Sequence, residues 1–298
     1  MTESMSFLGD KPVHRIGFGA MQLAGPGVFG PPKDRDGALA VLRRAVELGV
    51  DHIDTAQFYG PDVVNELIRE ALHPYPGDLR LVTKVGAVRD SDGGWIRAAE
   101  PDELKHQVRE NLKALDVDRI DLVNLRRFER SEPDAREPDL ADQLGALAEL
   151  REAGDIDLIG VSNVTAETVR KAIDTVGIGG VQNPFGILDR SDEPVLELCR
   201  EHGVSYVPFF PLGSAFGGGG PKALAVDPHV STVAAKHGVT PSQVALAWAL
   251  AQYDGLLLIP GTSSVAHLEE NMAVIDIELE AEDLETLDRV RSKPVEGH

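Results

Sequence analysis

Short β-rich runs alternate with longer helical patterns eight times along the 298 residues, with no break in composition. Such alternation selects parallel strands joined by helices, because a parallel neighbour is reached only through a long crossover. The β-rich runs cover residues 16–20, 52–55, 81–85, 120–125, 156–161, 180–183, 205–209 and 256–259. Helical patterns fall near 36–48, 61–72, 101–115, 139–153, 166–176, 193–202, 228–237, 241–252 and 265–273. Pro101-Asp102-Glu103 and Thr240-Pro241 carry helix-start chemistry, and Gly49 closes the first helix. Eight β/α units predict an α/β fold, a closed (βα)8 TIM barrel over residues 1–298, with two Rossmann halves as the competing arrangement. Residues 7–16 hold a Gly-Asp turn and predict an N-terminal hairpin that closes the barrel bottom, and a last helix near 281–290 is an extra C-terminal element.

Subtracting 49 acidic from 29 basic residues leaves −20, which opposes nucleic acid as a partner. One cysteine, Cys199, rules out an internal disulfide framework and suits a reducing compartment. The N-terminal stretch lacks a basic segment followed by an apolar one, and no window approaches the roughly 20 apolar residues of a membrane span. The expected location is the cytoplasm, with no membrane partner. Two long connections, 126–140 and 211–227, follow strands and so lie on the face where barrel active sites are built. The second contains Gly217–Gly220 and reads equally as a flexible loop or a lid.

Gly17-x-Gly19 is half of a dinucleotide fingerprint, and its glycines permit close backbone approach. The second strand ends His52-Ile53-Asp54-Thr55, with Tyr59 on the following loop, and period two puts His52 and Asp54 on one face. An inward acid needs a partner, and Lys84 at the next strand end supplies it. Two charges alone read as a structural ion pair. With Tyr59 beside them, a proton donor becomes the better reading: the ammonium stabilises phenolate, and Asp54 keeps the lysine charged and oriented.

At this point the sequence resembles the aldo-keto reductase family. The matching stretches are Gly17-Phe18-Gly19, Asp54-Thr55-Ala56-x-x-Tyr59-Gly60, Thr83-Lys84, Asp121-Leu122, Gly160-Val161-Ser162-Asn163, Val181-Gln182-Asn183, Pro211-Leu212-Gly213-Ser214, Gln243-Val244-Ala245-Leu246-Ala247-Trp248 and Ile259-Pro260-Gly261-Thr262. The resemblance implies NAD(P)H-dependent reduction of a small-molecule carbonyl substrate, with Tyr59 as acid, Lys84 its activator and Asp54 the lysine's partner. It implies that Ser162, Asn163 and Gln182 bind the nicotinamide carboxamide and that Phe209 stacks on the ring. Gly19, Met21, Pro211, Leu212, Gly213, Ser214, Gly261 and Thr262 are further implied cofactor positions, with Glu270 and Asn271 at the adenine. No metal is implied.

Two positions depart from the family pattern. Arg126 stands where many members carry histidine, so it is assigned to the catalytic set, either stabilising oxyanion charge or gripping an anionic group on the substrate. A salt bridge to a loop acid such as Glu129 is the structural alternative. The Val-Asn-Leu-Arg stretch resembles a bacterial branch associated with pyridoxal reduction, which suggests pyridoxal or another aromatic aldehyde. At the ribose end the series is Ser263, Ser264 and His267, without the usual arginine. NADPH is the expected cofactor, and NADH remains the alternative. Two other classes compete: a nucleotide-binding redox-sensing barrel with little turnover, and a metal hydrolase using His52 and Asp54. The sequence sets no oligomeric state.

Overall fold

The computed structural model describes residues 4–132, 134, 136–213 and 220–290. Strands β1 (Met5–Leu8) and β2 (Lys11–His14) form the antiparallel hairpin expected before the barrel. Its inward Leu8 and Val13 pack on Val82, Leu122 and Leu257, which stops the N-terminal end of the sheet with apolar side chains.

The barrel strands are β3 (Phe18–Gly19), β4 (His52–Asp54), β5 (Arg80–Arg89), β7 (Ile120–Arg126), β8 (Ile156–Ser162), β9 (Gly180–Gln182) and β10 (Ser205–Tyr206), and β6 (Trp95–Ala98) is an outlier on β5. The first seven pair in parallel in the order β3-β4-β5-β7-β8-β9-β10. The segment expected as the eighth strand makes only isolated bridges, Tyr206 to Leu256 and Ile16 to Leu258. It still closes the ring, because Leu257 N–H donates to Tyr206 O at 2.9 Å and Leu258 N–H to Arg15 O at 2.8 Å. The run expected over 205–209 is a strand only to Tyr206, since Pro208 has no N–H for a ladder; Phe209 regains contact through a bridge to Pro184.

The helices are α1 (Arg35–Glu47), α2 (Val63–Leu72), α3 (Pro101–Leu115), α4 (Leu140–Ala153), α5 (Ala166–Val176), α6 (Glu193–His202), α7 (Pro221–Val226), α8 (Pro228–His237), α9 (Pro241–Gln252), α10 (Val265–Met272) and α11 (Ala281–Leu287). Capping boxes at Glu100 and Thr240 start α3 and α9, each followed by proline. Leu104, Val108, Leu144 and Leu147 of α3 and α4 are fully buried in one cluster with Val85 and Val123 of the sheet. Each contributes about 1.5–3 kcal/mol of burial. The C-terminal α11 docks on α8 through Lys236 and His237, both bonded to Asp283 at 2.8 Å. No helix among the described residues is long and apolar enough to cross a membrane.

Candidate active site

Adjacent parallel strands bring their C-terminal ends together, and the chemistry-bearing side chains sit at those ends. Asp54 closes β4, Lys84 lies in β5, Arg126 closes β7, Ser162 closes β8 and Gln182 closes β9. Gly86 makes the β5–β7 approach close: a Cβ there would lie 2.3 Å from Arg126 O, and its φ of +110° is one that L side chains rarely adopt.

Lys84 Nζ donates to Asp54 Oδ1 at 2.5 Å and to Thr55 O at 3.0 Å. Gln182 Nε2 donates to the other carboxylate oxygen of Asp54 at 2.8 Å. Asp54, Tyr59 and Lys84 are all nearly inaccessible to water. Burial opposes the Lys84 charge, yet Asp54 and Tyr59 more than offset it and hold the ammonium above its ordinary pKa. Lys84 Nζ lies 5.1 Å from the centre of the Tyr59 ring. Burial drives the Tyr59 phenol above its usual pKa, while Lys84, and more weakly Arg126, pull it down. The expectation of a field from Lys84 therefore stands in sign, but desolvation outweighs it: Tyr59 is held as the neutral, proton-bearing phenol.

Arg126 does not pair with Glu129, correcting that alternative. Glu129 is taken by Arg127 Nε at 2.6 Å and by the Thr168 hydroxyl at 2.9 Å. Arg126 is partly buried, with its Cζ 5.7 Å from the Phe128 ring centre and 5.8 Å from that of Phe209. Its Nε is buried without a partner. Desolvation lowers its pKa, and Tyr59 is the group that counters this.

Two more polar atoms are orphaned beside this cluster, Ser162 Oγ and Gln182 Oε1. Gln182 already spends its NH₂ on Asp54, so its free oxygen is an acceptor, whereas a hydroxyl both donates and accepts. An amide bearing one N–H donor and one C=O acceptor would satisfy both, so the residues present fit a nicotinamide carboxamide. Asn163, at φ +58°, donates from Nδ2 to Arg127 O at 2.8 Å and Ser131 Oγ at 3.1 Å, which ties down the segment after β7.

The remaining expected positions lie further along the rim. Gly19 and Gly261 face each other: a Cβ on Gly261 would meet Gly19 O at 2.5 Å, and one on Gly19 would meet Ile259 O at 2.4 Å. Met21 and Ser263 line a cavity of about 390 Å³ together with Gln22, Lys33 and Asp34. Thr262 Oγ1 accepts from Ser264 N–H at 3.0 Å, and the Ser264 hydroxyl caps α10 at His267 N–H. Glu270 O accepts from Gln243 Nε2 at 2.9 Å, and Asn271 sits at the end of α10. Pro211 O lies 2.3 Å from where a Cβ on Gly186 would stand, Leu212 packs on the core, and Gly213 has φ +93°. Ser214 and the glycines 217–219 lie outside the described residues. His52 and Asp54 serve different neighbours: His52 Nδ1 faces Asp51 at 3.3 Å while its Nε2 lies against Gly17.

Sequence reasoning missed two supports of the site. Thr55 and Thr83 donate to Asn65 and Asn111 at 2.8 and 2.7 Å, and Asn65 Nδ2 donates to Asn111 at 2.9 Å. This buried net bolts α2 and α3 to the strands carrying Asp54 and Lys84. The signal available was amide side chains on otherwise apolar helix faces. The other support is β6, folded back antiparallel on β5. Its Trp95 meets Phe58 edge-on at 5.2 Å, Phe58 meets Tyr59 at 5.4 Å, and Arg89 covers Trp95 at 4.3 Å. An aromatic wall thus runs from Tyr59 outward.

A model of the Aldo/keto reductase family matches residues 15–292. The chain is 48% identical over 290 residues to pyridoxine 4-dehydrogenase of Escherichia coli strain K12, covering 97% of this chain and 99% of that one. Its fold is similar to a thermostable aldo-keto reductase solved with the inhibitor epalrestat, at 28% identity and a TM-score of 0.80, covering 96% and 99% of the two chains. It is also similar to an aldo/keto reductase of Klebsiella pneumoniae in complex with NADP and acetate, at a TM-score of 0.79 and 24% identity, covering 100% and 98%.

Proposed function

The chain belongs to the aldo/keto reductase family and is an oxidoreductase that reduces a carbonyl group with a nicotinamide cofactor; on that footing we propose that Tyr59 is its proton donor and an aromatic aldehyde of the pyridoxal type its substrate. One observation carries the assignment of residues: the buried Asp54–Lys84–Tyr59 cluster touches Gln182, whose other amide atom is orphaned beside Ser162.

The chemistry a bound nicotinamide nucleotide would supply here is a hydride for the carbonyl carbon. Ser162 and Gln182 would hold the carboxamide through their free polar atoms, and Phe209 would offer a flat surface to the ring. Tyr59 delivers its proton to the carbonyl oxygen. Lys84 stabilises the phenolate left behind, and Asp54 keeps Lys84 charged and aimed. The low-water pocket strengthens each of these charge terms. The cofactor is assigned as NADPH: its ribose phosphate falls to Ser263, Ser264 and His267, at the N-terminus of α10. NADH is the competing cofactor. Pyridoxal is supported as substrate by the 48% identity to a pyridoxine 4-dehydrogenase.

The test is to follow absorbance of reduced nicotinamide with NADPH and NADH across a panel of aldehydes that includes pyridoxal, quantifying the alcohol formed. Multiple turnovers with one alcohol per nucleotide are expected. Tight nucleotide binding without turnover would return the protein to the redox-sensing reading.

A further inference from the structure

Arg126 is exceptional among the arginines around the site. Arg127 pairs with Glu129, Arg97 with Glu137 at 3.2 Å, and Arg130 with Asp192. Arg89 instead spends its donors on the carbonyls of Gly27, Val28 and Gly93. Among the described residues Arg126 has neither an acid nor a carbonyl acceptor, in a chain with 49 acidic residues against 29 basic ones. Two aromatic faces, Phe128 and Phe209, hold it instead. Asp54 already compensates Lys84, whereas among the described residues no acid compensates Arg126.

A partly buried guanidinium is best satisfied by an anion, and among the described residues none meets Arg126. The strand register restricts where that anion can lie. Lys84 is paired with Asn124, so Arg126 stands two residues beyond it on the next strand, about 7 Å along. The charge of Arg126 bears on the Tyr59 phenol from that position, so a carbonyl oxygen taking the Tyr59 proton lies within its field. The anion that would best use this charge during the transfer is one held close to the carbonyl, such as an oxygen on the neighbouring ring carbon, rather than one on a distant tail.

We propose that Arg126 selects aromatic aldehydes carrying an ionised hydroxyl on the ring carbon next to the one that bears the formyl group. The inference rests on the reductase reading above and narrows it. The hydroxyl oxygen takes no part in bond making: the carbonyl carbon gains hydride from the nucleotide, the carbonyl oxygen gains the Tyr59 proton, and Tyr59 is reprotonated from water. The neighbouring oxygen enters and leaves as the same anion, and Arg126 sets which aldehydes are oriented for the transfer.

The experiment compares ortho-hydroxybenzaldehyde with para-hydroxybenzaldehyde at a pH where both hydroxyls are ionised, so that ring electronics and net charge match and only the placement of charge differs. Charge-assisted hydrogen bonds of this kind correspond to roughly a 10- to 150-fold preference in kcat/KM for the ortho isomer. Arg126→Met should bring the ratio close to one, whatever activity the two substrates lose in common, and Arg126→Lys should keep part of it. A ratio near one in the wild-type enzyme overturns the proposal without any variant, and so does a ratio that Arg126→Met leaves intact. Failure to reduce any aldehyde would overturn the reductase reading itself, a different result from reduction without discrimination.

Discussion

Replacing Lys84 by methionine removes the charge that poises Tyr59 while keeping the volume of the side chain. Lys84 Nζ lies 5.1 Å from the Tyr59 ring centre, and at an effective dielectric constant of about 20 unit charges at that distance interact by about 3 kcal/mol. Proton donation creates phenolate, so losing that interaction should slow the chemical step roughly a hundredfold. Asp54, left without its partner, acts in the same direction on the phenol. Stranding that buried carboxylate also costs about 3–5 kcal/mol of stability, so rates are referred to the folded fraction measured by circular dichroism. The assay is single-turnover oxidation of bound NADPH by pyridoxal in Lys84→Met, Tyr59→Phe and the double variant. On the proposed reading Lys84 works through the Tyr59 proton, so adding Lys84→Met to Tyr59→Phe should cost little more. Equal losses in both backgrounds would refute the argument that Lys84 works by tuning Tyr59.

Asp192, bonded to Tyr206 at 2.7 Å and Asn183 at 2.9 Å, has its carboxyl pushed by burial from 3.8 up to about 6. The folded state therefore holds this proton more tightly than the unfolded one, so its contribution is fully present below about pH 4 and is lost as pH rises through 6. The swing is about 3 kcal/mol at 1.36 kcal/mol per unit. Asp192→Asn should flatten that part of the curve in denaturant titrations at several pH values, and an unchanged slope would count against it. His267→Arg, on the first turn of α10, should raise the NADPH-over-NADH ratio of kcat/KM about tenfold; an unmoved ratio would place the ribose phosphate elsewhere.

Helix limits were the most legible part of the chain. The bounds of α3, α5, α6, α8 and α9 coincide with the sequence reading, because prolines, Thr240 and the glycines Gly177, Gly203 and Gly238 mark them locally. The Asp54–Tyr59–Lys84 cluster was legible for a different reason: in parallel strands, position along the strand states which end a residue occupies. What escaped depends on tertiary contacts. The Trp95–Ala98 ribbon does not alternate between apolar and polar faces, and its existence follows from pairing with the far end of a ten-residue strand. The short α7 lay hidden in the connection read as a loop over 211–227. Glu129 looked like the partner of Arg126 by sequence distance, yet Thr165, Thr168 and Arg127 compete for it in space. The Thr55–Asn65–Asn111–Thr83 net joins residues up to 46 positions apart, and no local pattern announces such bonds.

The central claim is that Tyr59 protonates the substrate. It is tested most directly by turning over pyridoxal with NADPH in Tyr59→Phe beside the wild type, with nucleotide affinity measured on the same samples by fluorescence titration. The account predicts a loss of about 10²- to 10⁴-fold in turnover, with NADPH affinity within about twofold. A variant that reduces pyridoxal at the wild-type rate would contradict it.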